Sequence, residues 1–167
     1  PASTIDAEVN VLNEIKAYTN GMSDFDKAIY IHDYLILNGE YDIELGEIIE
    51  NTGTLTEELR KERYEKYALL VNGTGVCGSY ALAYRAVLNA AGMECLYLSS
   101  DTMNHAWNMV KLDEEWYHLD LTSNKSIKDM ESTIVLHTYF NLTTDQMEKT
   151  HKINDKELVH KITFDES

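Results

Sequence analysis

Apolar and polar positions follow two different rhythms along the chain, and the change of rhythm divides it. In the first half, apolar residues recur at helical spacing. Ile5, Val9, Leu12 and Ile15 predict a helix over residues 3–18, stopped at Asn20-Gly21. Ser23 is placed to cap a second helix, with Asp26 three residues on. Ile29, Tyr30, Tyr34 and Leu37 give it an apolar face, and Asn38-Gly39 ends it. Residues 41–55 show no clear period and read as irregular, and a charged helix is expected from Thr56 to Leu70. After the loop Asn72-Gly73-Thr74-Gly75, a helix opening at Cys77 places Tyr80, Ala81, Tyr84, Val87, Leu88 and Ala91 on one face, with Gly92 as its C-cap.

Beyond Gly92 the pattern becomes that of strands. Cys95 to Ser99, His105 to Lys111 and Trp116 to Leu121 are short aromatic and aliphatic runs, and Leu112-Asp113-Glu114-Glu115 is a tight connection between the last two. Thr133 to Leu142 suits a further strand and Thr144 to His151 a short helix, while the tail from Lys152 carries no signal. Helices first and strands afterwards is an α+β arrangement, with helices packed on an antiparallel sheet. The 167 residues, 44% of them hydrophobic, suit a single domain over 1–167, starting at Pro1 as a piece of a longer protein would.

Charge removes several functions. Fourteen basic residues against 29 acidic ones leave a net charge of −15. Nucleic acids and anionic membrane surfaces need clustered Lys and Arg to displace counterions, so neither is an expected partner. No apolar run approaches the ~20 residues of a membrane span, so membrane insertion is not expected either. The EF-hand, H-E-x-x-H and Walker patterns are missing, and no metal or nucleotide cofactor is expected. Two cysteines make no disulfide framework, although a single Cys77–Cys95 bridge stays open.

The candidate chemistry lies where the two rhythms meet. A thiol becomes a nucleophile when its thiolate is favoured, as at a helix N-terminus or beside an imidazole. Cys77 opens a helix after a loop whose glycines, Gly73 and Gly75, would let a substrate approach. Backbone N–H groups at that helix start, Gly78 among them, could hold an oxyanion. His105 opens one strand and Asp120 closes the next. A hairpin turning at Asp113-Glu114 pairs Trp107 with Asp120 and sets His105 diagonally on the same face. A turn one residue earlier pairs His105 with Asp120 directly, and either register brings imidazole and carboxylate within reach. The carboxylate would orient the ring, and the ring would serve the thiol. His118 shares a face with Asp120 and competes with His105 as the base. Cys95, in an apolar strand, reads as an inert buried thiol, and His32-Asp33 reads as a packing or supporting pair.

Three runs together, Gly75-Val76-Cys77-Gly78-Ser79-Tyr80-Ala81, Asn104-His105-Ala106-Trp107-Asn108 and Trp116-Tyr117-His118-Leu119-Asp120, resemble the bacterial branch of the transglutaminase-like superfamily. Ile31-His32-Asp33-Tyr34-Leu35, Tyr41-Asp42 and Tyr139-Phe140 extend the likeness over residues 23–150. The resemblance implies a papain-like core with Cys77, His105 and Asp120 as a catalytic triad. It implies acyl transfer through a thioester on peptide or isopeptide amides, as a peptidase, an amidase or a crosslinking enzyme. A peptide or protein substrate, cell-wall peptide included, and an extracellular or cell-surface setting follow from the same likeness. It also places Tyr67 near the oxyanion. The chain departs from its relatives after the acid, where Leu121-Thr122-Ser123-Asn124 stands in place of Thr-Trp and an acidic residue, so a different cleft wall is expected there. The competing reading is a catalytically silent domain that binds peptide or cell-wall polymer.

Overall fold

The computed structural model describes residues 2–124, 126–128, 133–154 and 159. Two long helices come first, α1 (Ala2–Thr19) and α2 (Asp24–Asn38). Ser23 caps α2 as its sequence implied, its Oγ accepting the Asp26 N–H at 3.1 Å. The buried stripe of α2 is Ala28, Ile31, His32, Leu35 and Ile36, rotated from the expected one, and it leaves Leu37 exposed. In α1 the early apolar residues Ile5 and Val9 are exposed, and Ile15 and Thr19 near its end are buried. Spacing defines a helix but not which flank of a broad apolar stripe meets the core.

Residues 41–55, expected to be irregular, contain a helix. Asp42 caps α3 (Ile43–Thr52) by accepting the Leu45 N–H at 3.0 Å, and Gly53 closes it in the left-handed region. Leu45, Ile48 and Ile49 stand at i, i+3 and i+4 and form a short inward stripe, which the Asn51-Thr52-Gly53 stop signal overshadowed in the sequence. The charged segment that follows is not one helix. A short α4 (Glu57–Leu59) continues into a wide π-helical turn (Arg60–Tyr64). The chain breaks at Glu65, and a second wide turn covers Ala68–Asn72. Gly73, at φ 74°, ends that turn in a conformation that costs other residues about 1–2 kcal/mol. Two-residue strands β1 (Glu40–Tyr41) and β2 (Thr74–Gly75) then pair in parallel, Tyr41 beside Gly75.

The centre is α5 (Cys77–Ala90), with Gly78 to Ala81, Ala83, Tyr84, Val87 and Leu88 buried. It packs between α2 and one face of an antiparallel sheet in the order β3 (Cys95–Ser100), β4 (His105–Leu112), β5 (Glu115–Leu119). Tyr84 joins helix to helix, its hydroxyl donating to Ala28 O at 2.8 Å. Between β4 and β5 the register is that of the Asp113-Glu114 turn: Leu112 pairs with Glu115 and Asn108 with Leu119. Both turn residues have positive φ, 50° and 66°, which a two-residue hairpin needs to match strand twist. Val110, Leu112 and Leu119 face α5, while Met109, Trp116, Leu96 and Leu98 form a second cluster on the other face with Val159.

Two further expectations changed. Thr133 to Leu142 is not one strand: β7 (Thr133–Val135) pairs with β6 (Ser126–Lys128), and Leu142 bridges back to His118. The late helix is shorter than expected, α6 (Thr144–Met147), its Thr143 and Gln146 side chains each accepting the other's backbone N–H. Cys77 and Cys95 are both free thiols. Among the described residues no helix is long and apolar enough to cross a membrane.

Candidate active site

Cys77 is the first residue of α5, and the residue before it decides what that helix end offers. Val76 occupies the N-cap with no side-chain hydrogen bond to the helix. Ser79 Oγ instead accepts the N–H of Val76 itself at 3.1 Å. The first N–H groups of α5, those of Cys77 and Gly78, thus get no oxygen from the N-cap side chain, which suits an incoming oxyanion. Gly75, expected to clear a path for substrate, serves packing: a Cβ there would come within 2.5 Å of the Ser79 Cβ. Gly78 is small for a similar reason, since a Cβ would strike the Tyr64 hydroxyl. That hydroxyl lies 3.3 Å from the Tyr97 hydroxyl. The wide turns and the break at Glu65 bring Tyr64 against the start of α5, a consequence of π-helical phasing that a regular 3.6 period does not convey. Tyr67 is half-buried and does not line the cleft.

His105 and Asp120 stand together. His105 Nε2 donates to Asp120 Oδ2 at 2.6 Å, and Cys77 lines the same cleft as the ring, near enough to act on its charge. Burial would lower the basicity of His105, but Asp120 and Cys77 overcome it and raise its pKa from 6.5 to about 10. Asp120 is 1% exposed. Burial alone would raise its carboxyl, yet hydrogen bonds from His105, His151 and Ser123 hold it well below the usual range. The residues after Asp120 do part of this holding. Thr122 Oγ1 and the Ser123 N–H each donate to Oδ1 at 3.2 Å, and Ser123 Oγ donates to Oδ2 at 2.7 Å.

These groups open on a cleft of about 580 Å³. Cys77 and His105 line it together with Tyr41, Ile43 and Tyr80 and with the loop from Leu121 to Asn124. Burial and the nearby Glu40 push the Tyr80 hydroxyl up to about 12, so it stays a neutral donor. Arg63 fixes the Tyr41–Ile43 wall by gripping the Asp42 carboxylate with Nε at 2.8 Å and Nη2 at 2.6 Å.

A model of the transglutaminase-like superfamily matches residues 13–121. The chain belongs to the transglutaminase-like superfamily. Among curated proteins, this superfamily member is 40% identical over 70 residues to a peptide-N(4)-(N-acetyl-beta-glucosaminyl)asparagine amidase of Caenorhabditis briggsae, across 40% of this chain and 12% of that one. Among solved structures, the crystal structure of a TGase superposes with a TM-score of 0.56 at 16% identity, over 78% of this chain and 35% of the other. At that identity the likeness is one of fold. The chain spans about a tenth of the amidase's length and about a third of the TGase's.

Other histidines were open to the transglutaminase-like site, and the structure sorts them. His118 spends Nδ1 on the Trp107 indole N–H at 3.0 Å and places Nε2 3.1 Å from Thr144 Oγ1. His32 supports the far wall. Asn124 Oδ1 accepts the Tyr139 N–H at 2.8 Å while its Nδ2 donates to Tyr139 O at 2.9 Å, so the amide cannot turn over. Nδ2 therefore also faces His32 Nε2, at 2.9 Å, and that nitrogen must accept. The proton of His32 then sits on Nδ1, 2.7 Å from Asp33 Oδ1, to which His137 Nε2 also donates at 2.7 Å. Burial lowers the pKa of His32 in spite of Asp33.

His32, Asp33 and His137 converge as metal ligands could, their donor atoms within 4.8 Å of one another. A cation on Nδ1 would force the proton to Nε2, against the locked N–H of Asn124, so hydrogen bonding suits this cluster better than metal does. His105, Asp120 and His151 converge in the same way, but the carboxylate already accepts hydrogen bonds on both oxygens. His151 was not anticipated: it lies 31 residues beyond Asp120 and has no local motif.

Proposed function

We propose that this domain is a cysteine-dependent acyl-transfer enzyme acting on peptide or isopeptide carboxamides through a thioester. What carries the reading is the line Asp120–His105–Cys77, ending at a helix N-terminus that opens into a cleft. The thiolate of Cys77 attacks the carbonyl carbon, forming the S–C bond, and the oxygen's charge falls toward the N–H groups of Cys77 and Gly78. As the C–N bond breaks, the imidazolium of His105 gives its proton to the departing amine. Asp120 keeps the ring oriented and stabilises its charge without taking the proton. Water or a second amine then attacks the thioester, His105 accepts its proton, and the thiolate leaves.

Superfamily membership supports the reading, and the amidase relative is named for acting on an asparagine side-chain amide. Peptide or protein is accordingly the proposed partner, met outside the cell or at its surface. Mass spectrometry after brief exposure to iodoacetamide tests the proposal. Cys77 should label at neutral pH faster than a model thiol and slow sharply in His105→Ala. Cys95 should stay unlabelled until unfolding, because burial raises its thiol far above the usual range. Equal labelling of both thiols would reject the proposal.

A further inference from the structure

Asp120 faces two imidazoles, not one. His105 Nε2 lies 2.6 Å from Oδ2 and His151 Nε2 2.7 Å from the same oxygen. Ser123 Oγ adds a third donor to it at 2.7 Å. A carboxylate oxygen has two lone pairs, so three short donors on one oxygen must divide its charge. His151 is 4% exposed and held on every side. Trp107 meets its ring edge-on at 5.0 Å and Tyr139 at 5.3 Å. Asp120, an ionised carboxylate that can only accept, keeps a ring proton on Nε2 facing it, while Thr150 Oγ1 lies 2.8 Å from Nδ1 and 3.4 Å from Met147 O. The Lys152 N–H donates to Met103 Sδ at 3.0 Å, fastening this segment to the turn before His105. His151 also lies outside residues 13–121, the part matched by the superfamily model.

We propose that His151 is a positioning residue for the Cys77–His105–Asp120 centre, taking a share of the Asp120 charge and so weakening the hold of that carboxylate on the His105 proton. The catalytic consequence rests on the function proposed above; the charge sharing does not. An imidazolium that must release its proton to a leaving amine is served poorly by a buried carboxylate aimed at it alone. Ser123 and Thr122 come from the same loop as Asp120 and move with it, whereas His151 comes from the far side of α6 and can anchor Oδ2 independently. The groups around His105 are Cys77 from α5, Asp120 from the end of β5, His151 from the late segment, and Glu40 and Tyr41 across the cleft, with His118 behind Trp107.

The test reads His105 itself and needs no substrate. In a Cys77→Ala background, which removes the thiolate's pull on the ring, the His105 imidazole is followed by NMR against pH. His151→Phe keeps an aromatic ring between Trp107 and Tyr139 but donates nothing, and should move the His105 midpoint up by about one pH unit. His151→Gln, which can still donate, should leave it within a few tenths of a unit. In an added Asp120→Asn background the His151→Phe shift should vanish. If His151→Phe does not fold, His151→Met, also without a donor, is read in the same way. A midpoint that stays or falls in the donor-less variant overturns the proposal, as does the same shift with Gln. Failure of Cys77 to label in the wild-type protein would reject the acyl-transfer reading and leave this titration result standing.

Discussion

The indole N–H of Trp107 donates to His118 Nδ1 at 3.0 Å, and that bond occupies the lone pair His118 would need to serve as base in the proposed reaction. With Nδ1 accepting, the proton of His118 lies on Nε2, toward Thr144 Oγ1 at 3.1 Å. His118 thus pegs β4, β5 and the start of α6 together. His118→Ala should lower stability by about 1–3 kcal/mol in urea denaturation, because the buried indole N–H loses its acceptor. In the folded fraction, Cys77 should alkylate at the wild-type rate. Loss of Cys77 reactivity in a folded His118→Ala protein would restore His118 as a candidate base.

Once an amide or ester substrate is in hand, the three central residues should rank by role. Cys77→Ala should abolish turnover while substrate binding survives, because the cleft walls are untouched. His105→Ala should cost nearly as much, since both proton transfers pass through it. Asp120→Asn should lower kcat/KM by roughly a hundredfold or more, yet less than either, because nucleophile and base remain. Turnover in Cys77→Ala close to wild type would favour a silent binding module, provided circular dichroism shows each variant folded.

Asp120 also predicts acid behaviour. Its folded carboxyl is held below the ordinary value of 3.8, so the unfolded chain binds its proton first as pH falls. The stabilisation is complete above about pH 5 and drains away as pH drops through 3.8 toward the lower folded value. Asp120→Asn lacks this term. The difference in Tm between wild type and Asp120→Asn should therefore hold from pH 6 to about pH 5 and shrink from there to pH 3. A constant difference would mean that the carboxylate is not specially stabilised in the fold.

Arg63 should matter to binding more than to chemistry. Its two-pronged grip on Asp42 holds the helix cap from which Tyr41 and Ile43 face the cleft. Arg63→Ala should raise KM several-fold at nearly unchanged kcat, with about 1 kcal/mol lost in stability, since the pair is partly exposed. Arg63→Lys should fall between, keeping the charge but not the planar fork. A fall in kcat with KM unchanged would place Arg63 in the reaction instead.

Local patterns were enough for the elements that carry the central line. The period-four stripe after Cys77 defined α5, and the strand-like runs around His105 and Asp120 defined a hairpin whose parity put both side chains on one face. Those features depend on neighbours a few residues apart, which a sequence displays directly. Three things did not. Helix α3 is short, with an inward stripe of only Leu45, Ile48 and Ile49 between turn signals, and the wide turns before Asn72 replaced the assumed 3.6 period. The core face of α2 was settled by its contacts with α5. Above all, the surroundings of Asp120 come from chain closure: Ser123 from its own loop, Asn124 and His32 joined across 92 residues, and His151 across 31. A histidine at the end of a short expected helix, with no motif around it, looks like any surface histidine until packing buries it. The hydrogen bond it then makes reflects where the late segment lands, and that is decided by the whole core and not by the residues beside it.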